Sequence, residues 1–328
     1  MDIELLKTRY LKVIKKCATV AGIWPEQSLK SKIVLRIIVY ILAIFAASTQ
    51  IARIVCFFSV DTLLEQMPFL TATFGALIKQ GNYIVYGKEY KNLMTGIRRD
   101  WLTDRFKAEM DIMMLYAERA YLFILIYLAT AISCLALFLQ MPLTPKILDI
   151  VWPKNESRDL GYVYPAYYAI DEHKYHPYII LHMTVGILML AYVFIACDTS
   201  FMYTVQHSCG LMAISGYRFK TAMGELFNTK DQFSHDEIYR NVCNSVRGHQ
   251  HALGYLKTVQ NAHNSYLFMA VGMSMICFSA TLVKVSNMSM CIELAKDYTF
   301  IVVQLVHLLY LSIQGQLVTN STDQLFES

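Results

Sequence analysis

Charged residues are scarce in this chain of 328 residues, in which Asp, Glu, Lys and Arg together make up 16%. Soluble globular domains contain about 25% of these residues, so the deficit argues against an ordinary soluble fold. Seven Pro and 14 Gly are too few for a collagen-like or low-complexity chain. The eight Cys form no C-x-x-C pair and indicate no disulfide framework. What remains is a chain with 55% hydrophobic residues, whose distribution decides the class.

The motifs of common enzyme classes are also missing. The chain contains no G-x-x-x-x-G-K-[ST], no G-x-S-x-G and no H-E-x-x-H, which are the motifs of phosphate-loop, hydrolase and zinc-protease sites. His249 and His251 are two positions apart and would lie on different faces of a helix, which favours ordinary packed or solvated histidines. We therefore expect no catalytic residues, no metal site, no cofactor and no nucleic-acid partner.

Long apolar runs dominate the chain instead. A bilayer core about 30 Å thick needs about 20 apolar residues in helical conformation. Six runs meet this length, and the second is the most polar because it carries Glu65 and Lys79 near its ends. The sequence predicts an all-α, polytopic transmembrane protein with spans at 33–58, 62–86, 120–141, 178–199, 264–284 and 298–318.

The basic residues predict the orientation of these spans. Alternate connections starting with residues 1–32 hold 20 Lys and Arg, against six in the opposite set. Cytoplasmic loops are enriched in these residues, so residues 1–32 are predicted to lie in the cytoplasm and residues 33–318 to form the membrane domain. Two glycosylation sequons, at Asn155 and Asn287, then fall in outer loops and are candidate glycosylation sites.

Two connections are long enough to fold. The outer connection, residues 142–177, contains five Pro, which block a continuous helix, and we expect a folded lid. The inner connection, residues 200–263, has apolar residues at helical spacing. We therefore expect the fourth and fifth helices to extend into the cytoplasm as an antiparallel hairpin.

Polar residues inside spans are candidates for function. His182 could bond to a ligand or to a neighbouring side chain. Gln304 and His307 lie three apart on one helix face and could line a wet cavity or bond to adjacent helices. Asp198, at the inner end of the fourth span, is expected to be an interfacial charge.

Four stretches of the chain resemble the insect odorant receptors. Ala21–Pro25 (AGIWP) is similar to the Gly-x-Trp-Pro motif before the first span of that family. Tyr164-Pro165 with the segment 171–178 resembles its outer loop, and Arg247-Gly-His249 resembles the entry to its fifth helix. Gly315-Gln316, followed by Ser321 and Leu325, resembles the junction between its sixth and seventh helices.

The resemblance implies a function and partners. Such receptors are odorant-gated cation channels of the plasma membrane of sensory-neuron dendrites, assembled as heterotetramers with a co-receptor and binding small volatile organic odorants. This chain resembles a ligand-tuning subunit. Six of an expected seven spans are present, and residues 319–328 would be the start of a truncated seventh helix that lines the pore in the family. A gustatory-type receptor and a truncated, non-conducting or dominant-negative membrane protein therefore stay open as alternatives.

By the same resemblance, the odorant pocket should lie in the outer half of the membrane, between the second, third, fourth and sixth spans. Helix depth and facing then nominate eleven residues as candidate ligand contacts: Phe69, Leu70, Thr73, Ser133, Ala136, Gln140, His182, Met183, Gly186, Tyr298 and Val302.

Overall fold

Two helices in this protein are far longer than a bilayer is thick. The structure is a computed structural model and describes residues 3–152, 158, 160–227, 235–287 and 292–327. Its α-helices there are α1 (Ile3–Val20), α2 (Leu29–Cys56), α3 (Val60–Val85), α4 (Gly87–Leu102), α5 (Lys107–Leu139), α6 (Thr144–Val151), α7 (Glu172–Phe227), α8 (His235–Asn287) and α9 (Ile292–Glu327). At 1.5 Å per residue, α7 and α8 are each about 80 Å long.

The described part of the chain is all-helical apart from turns and loops, as predicted. Five of its helices, α2, α5, α7, α8 and α9, are long and apolar enough to cross a membrane. Side chains such as Ile37, Ile41 and Ile44 on α2 are 51–61% exposed, which suits contact with lipid. Together with the apolar length of the helices, this identifies a membrane protein.

Helix α3, the predicted second span, does not reach that apolar composition because of its polar side chains. Those side chains point inward: Gln66, Lys79 and Gln80 are at most 1% exposed. Glu65 forms an ion pair with Arg53 of α2 at 3.2 Å. Pro68 lies within α3 without ending it. The total of six spans therefore stays a prediction.

The turn after α1 gives a physical reason for the Gly-x-Trp-Pro motif. Gly22 has φ +67°, a conformation that glycine adopts without steric cost. The amides of Ile23 and Trp24 both donate to the carbonyl oxygen of Ala18, which closes the C-terminus of the helix. Trp24 is 7% exposed and packs in a cluster that includes Tyr83 and Val193. The turn thus fixes α1 against the membrane helices.

The outer connection folds back onto the helices that flank it. Val163 and Tyr164 are buried against Ala46 of α2 and Met183 of α7. The amide of Tyr167 donates to the carbonyl oxygen of Thr49 at 3.0 Å. The connection also contains helix α6, and α7 begins at Glu172, so Pro177 lies inside α7 and does not interrupt it as the sequence suggested. Asn155 falls outside the described residues.

Beyond the predicted spans, α7 and α8 continue as single helices that pack against each other. Here α4 and the first turns of α5, which lie in a connection where no helix was predicted, complete a core with them. Trp101, Met113, Met212 and Tyr255 are all at most 7% exposed in this core. The hairpin at 200–263 is therefore one part of a larger helical bundle.

The last helix corrects one expectation. Residues 319–327 continue α9 and do not begin a separate helix. A Cβ atom at Gly315 would have open space around it, so no tight turn requires glycine there. Gln316 donates across the next turn to Asn320 at 2.7 Å, and the Thr319 hydroxyl donates to the carbonyl oxygen of Gly315 at 3.3 Å. These bonds follow the i, i+4 spacing of an uninterrupted helix.

Candidate functional site

A cavity of about 580 Å³ lies among the membrane helices. Its volume falls within the range of about 300–1,000 Å³ that is typical of small-molecule sites. Residues of α2, α3, α5, α7, α8 and α9 form the wall, together with Tyr164 from the outer connection. Most of the wall is aliphatic, aromatic or small. Such a wall favours an apolar ligand.

Aromatic rings close one side of the cavity. The ring centroid of Phe69 on α3 lies 6.4 Å from that of Phe138 on α5, 6.2 Å from that of Phe300 on α9 and 5.9 Å from that of Tyr164. Phe138 and Phe300 also meet edge to face at 6.0 Å. These separations are those of attractive aromatic pairs. The four rings join three helices and the outer connection around the same ligand space.

The opposite end of the cavity is polar. Lys79 of α3, which lines the cavity, forms an ion pair with Asp198 of α7, and both side chains are at most 2% exposed. The Tyr127 hydroxyl on α5 donates to Asp198 Oδ2 at 2.6 Å. His307 Nε2 on α9 lies 3.2 Å from both Asp198 Oδ2 and Lys79 Nζ. Four helices therefore converge on one buried charge pair.

This arrangement overturns the expectation for Asp198. The sequence placed it at the interface with water, yet it is 0% exposed. A buried charge without a partner costs several kcal/mol, and here Lys79 supplies the partner. Lys79 Nζ also lies 4.6 Å from the ring centroid of Phe194, a favourable cation–π distance. The charge pair closes the cavity floor, with Lys79 facing the ligand space and Asp198 behind it.

Two glutamine side chains also border the cavity. Gln50 of α2 and Gln304 of α9 line it, and the side-chain carbonyl oxygen of each is buried without a hydrogen-bond partner among the described residues. Buried acceptors are normally satisfied. A ligand hydroxyl would supply the donor that these oxygens lack.

Five of the eleven nominated residues line the cavity: Phe69, Thr73, Ser133, Gly186 and Val302. They come from four different helices, so the structure brings together the helices that the resemblance implied. A Cβ atom at Gly186 would meet nothing within 4 Å. The glycine therefore leaves room for a ligand beside α7.

The two other candidates from the predicted third span do not border the cavity. The face of α5 on the cavity runs through Thr130, Cys134 and Phe138 at a spacing of four, with Ser133 at its margin. Ala136 lies about 200° around the helix from Cys134. Gln140 is outside the helix, because α5 ends at Leu139. Of the three residues nominated by the i, i+3, i+7 pattern, Ser133 alone borders the cavity.

The remaining candidates hold the outer connection or lie beside the cavity. His182 accepts or donates a hydrogen bond with the Tyr168 hydroxyl at 2.8 Å and stacks edge to face on Phe45 at 4.5 Å, which corresponds to the neighbouring-side-chain alternative. Met183 is 0% exposed in the cluster under Tyr164. Leu70 is buried in protein and Tyr298 is 52% exposed, and neither borders the cavity.

One wall and the floor of the cavity were not predicted from the sequence. Helix α8 contributes Ala270, Met273, Ser274 and Cys277, whose helical spacing gave no signal that they face a ligand space. Lys79 did carry a signal, because a charged residue within an apolar span is a candidate for function. For His307 the sequence left two roles open, lining a cavity or bonding to adjacent helices, and in the structure the side chain does both.

Comparison with known proteins places the fold and the family. The family model described as "7tm Odorant receptor" matches residues 59–328. The structure is similar to that of the olfactory receptor OR5 from Machilis hrabei in complex with eugenol, with a TM-score of 0.81, 13% sequence identity, and coverage of 100% of this chain and 84% of that one. It is also similar to an OR5 structure from Machilis hrabei whose description names no ligand. That match has a TM-score of 0.75 and 14% sequence identity, and it covers 99% of this chain and 83% of that one.

A search of curated proteins finds no match. The structural likeness, at such low identity, establishes the fold, and the family model covers most of the chain. The chain therefore belongs to the 7tm odorant receptor family, and the resemblance to the insect odorant receptors is confirmed.

Proposed function

We propose that this chain is the ligand-binding subunit of an odorant-gated cation channel in the plasma membrane of sensory-neuron dendrites. It acts with a co-receptor in a heterotetramer, with its N-terminus in the cytoplasm. The observation that supports this most is the cavity under the outer connection, whose wall is apolar and whose volume suits a small volatile molecule. The similar receptor from Machilis hrabei is described in complex with eugenol.

The ligand class follows from the composition of the wall. Apolar contacts with Phe69, Phe138 and Val302 supply affinity through the hydrophobic effect. Gln50 and Gln304 provide acceptors for one hydroxyl group. The preferred ligands are therefore small, mostly apolar alcohols or phenols. Contacts of this kind give modest affinity and broad tuning.

Coupling to a channel requires that the ligand bind one conformation more tightly than another. The cavity touches α9 and α7 at once, and the Lys79–Asp198 pair joins α3 to α7 directly below it. A ligand that fills the cavity thus contacts α7 and α9 and changes how they pack. Helix α7 continues beyond the predicted span, so this change also reaches the part of the protein outside the membrane helices.

The test compares two glycines with the same free space. Gly186 lines the cavity, whereas Gly272 on α8 does not, and neither has a neighbour within 4 Å of an added Cβ. We expect Gly186→Phe to abolish odorant-evoked cation currents, measured in cells that express the receptor with a co-receptor, because the ring occupies the ligand space. Gly272→Phe should leave the currents within about twofold, since nothing at that position opposes the ring.

Cell-surface labelling of both variants separates loss of binding from loss of delivery. Equal responses of Gly186→Phe and the unmodified receptor across a broad odorant panel would place the ligand elsewhere. Absence of any current from the unmodified receptor at the surface would contradict the channel role.

A further inference from the structure

A second cavity, of about 720 Å³, lies at the opposite end of the helices from the ligand cavity. Helices α4, α5, α7 and α8 and the turn between α4 and α5 line it, and it is open to the surface. Its wall is strongly basic, with four arginines against two carboxylates. These charged residues are Arg99, Arg105, Arg218, Arg247, Asp100 and Glu109.

Two of the arginines are fixed by the carboxylates. Arg218 donates two hydrogen bonds to Glu109, at 2.6 and 2.7 Å, and this fork geometry orients the guanidinium group. Arg105 lies 3.7 Å from Asp100 and 3.9 Å from Glu109. Both carboxylates are about 3% exposed. Their negative charge is therefore already used within the wall.

Asp100 is engaged further by two histidines. His207 and His251 bond to its two oxygens at 3.0 and 2.9 Å. Burial opposes ionisation of Asp100, but the hydrogen bonds and charge of the two histidines outweigh burial and hold its pKa below the ordinary value. The carboxylate stays ionised at neutral pH and keeps the polar wall in place.

The other two arginines are exposed and have no carboxylate partner among the described residues. Among the described residues, no carboxylate forms an ion pair with Arg99 or Arg247, although both border the cavity. Ser215 also lines it, is 1% exposed, and its hydroxyl has no hydrogen-bond partner among those residues. The cavity thus combines excess positive charge with a buried donor that nothing in the wall satisfies.

A glycine lets the arginines approach. A Cβ atom at Gly248 of α8 would lie 2.9 Å from Arg218 Nη1, closer than side chains tolerate. Glycine at this position therefore allows the Arg218 guanidinium group to approach α8 closely while it holds Glu109. Arg247, the preceding residue on α8, borders the same cavity.

From this geometry we infer that the cavity binds a phosphorylated small molecule. Guanidinium groups recognise phosphate oxygens through paired hydrogen bonds, and a ligand with two or more phosphates would neutralise the two free arginines. Arg218 follows the predicted inner end of the fourth span by 19 residues, about 28 Å along a straight helix. This distance favours a soluble ligand over a headgroup in the bilayer.

Inositol trisphosphate is a suitable probe because the same phosphates occur on a lipid headgroup. The purified chain in phosphatidylcholine nanodiscs is titrated with inositol trisphosphate, and Kd is measured by calorimetry. We expect saturable binding. Arg99→Gln and Arg247→Gln should each raise Kd about tenfold, because each variant removes one charged hydrogen-bond donor to the phosphates. Neither residue has an ion pair among the described residues, so both variants should fold.

Arg98→Gln is the matched control. Arg98 is adjacent to Arg99 on α4, but it lies outside the cavity and pairs with Glu26 at the surface. It should bind the probe with unchanged Kd. The proposal is overturned if no probe binds saturably or if Arg98→Gln weakens binding as much as the cavity variants.

A second arm uses nanodiscs that also contain phosphatidylinositol bisphosphate. If this lipid blocks binding of the soluble probe, the site takes phosphates and its source is the membrane. If the soluble probe binds equally well, the source is the soluble molecule. Both arms are measured without odorant or current, so their failure is independent of the odorant-binding proposal.

Discussion

The residues that distinguish this molecule most are Lys79 and Asp198, which are 119 positions apart in the chain and form a buried ion pair. Bringing two charges out of water costs several kcal/mol each. Hydrogen bonds from Tyr127 and His307 to the other oxygen of Asp198 offset part of this desolvation cost. The cluster therefore depends on every member being present.

Removing one member should destabilise the fold strongly. Lys79→Met leaves Asp198 as an uncompensated buried charge, and we expect a loss of about 3–5 kcal/mol in the free energy of unfolding. Adding Asp198→Asn, which keeps an acceptor for Tyr127 and removes the charge, should recover more than half of that loss. Thermal unfolding of the purified variants in detergent measures both.

The exposed pair Arg98–Glu26 serves as the control, because its side chains are 69% and 53% exposed. Arg98→Gln should cost less than about 1 kcal/mol. If Lys79→Met costs no more than this control, the cluster is not buried as described.

For individual residues, the sequence predicted which helix face a side chain lies on better than it predicted contacts between helices. Five nominated residues line the cavity, since helix period and depth are local properties of the chain. Asp198 was misplaced because its burial depends on α3 and α9, which are distant in sequence. No spacing within one helix encodes which neighbour covers it.

At the scale of elements, the predicted spans correspond to helices, because the length of an apolar run can be read from the sequence alone. What surrounds the spans was harder to predict. Helix α4 and the extension of α5 are rich in charge, and their burial follows from packing against α7 and α8. The continuity of α9 through Gly315 was missed because glycine permits a turn without requiring one.

The turn after α1 is a point where an element requires a particular residue. Gly22→Ala would force an L side chain to φ +67°, with its Cβ 3.1 Å from the carbonyl oxygen of Lys32. We expect a loss of about 1–2 kcal/mol in stability. Equilibrium unfolding of the variant against the unmodified chain measures it.

Gly87→Ala is the comparison, since Gly87 has no neighbour within 4 Å of an added Cβ and no positive φ. This variant should be neutral or more stable by up to about 1 kcal/mol. Equal effects of the two substitutions would show that the turn does not need glycine.

At the scale of the whole molecule, two cavities lie at opposite ends of the same long helices. The apolar cavity borders α7 at residues 186–195 and the basic one at residues 211–222. Between them lies the Lys79–Asp198 cluster. Helix α7 thus borders both cavities and carries Asp198 of the buried charge pair between them.

The proposed orientation predicts which sequons are glycosylated. If the N-terminus is cytoplasmic, Asn155 and Asn287 are exposed to the glycosylation machinery, whereas an acceptor sequon added before Ile3 is not. Treatment with an endoglycosidase should shift the gel mobility of the unmodified protein and leave that of an Asn155→Gln, Asn287→Gln variant unchanged. A mobility shift that persists in the Asn155→Gln, Asn287→Gln variant carrying the added N-terminal sequon would reverse the orientation.

The central claim is that the apolar cavity holds the odorant, and a structure of the receptor with an activating alcohol tests it most directly. We predict ligand density beside Phe69, Ser133 and Gly186, with its hydroxyl within about 3.5 Å of Gln50 or Gln304. Density at another place in the molecule, with this cavity unchanged, would contradict the account.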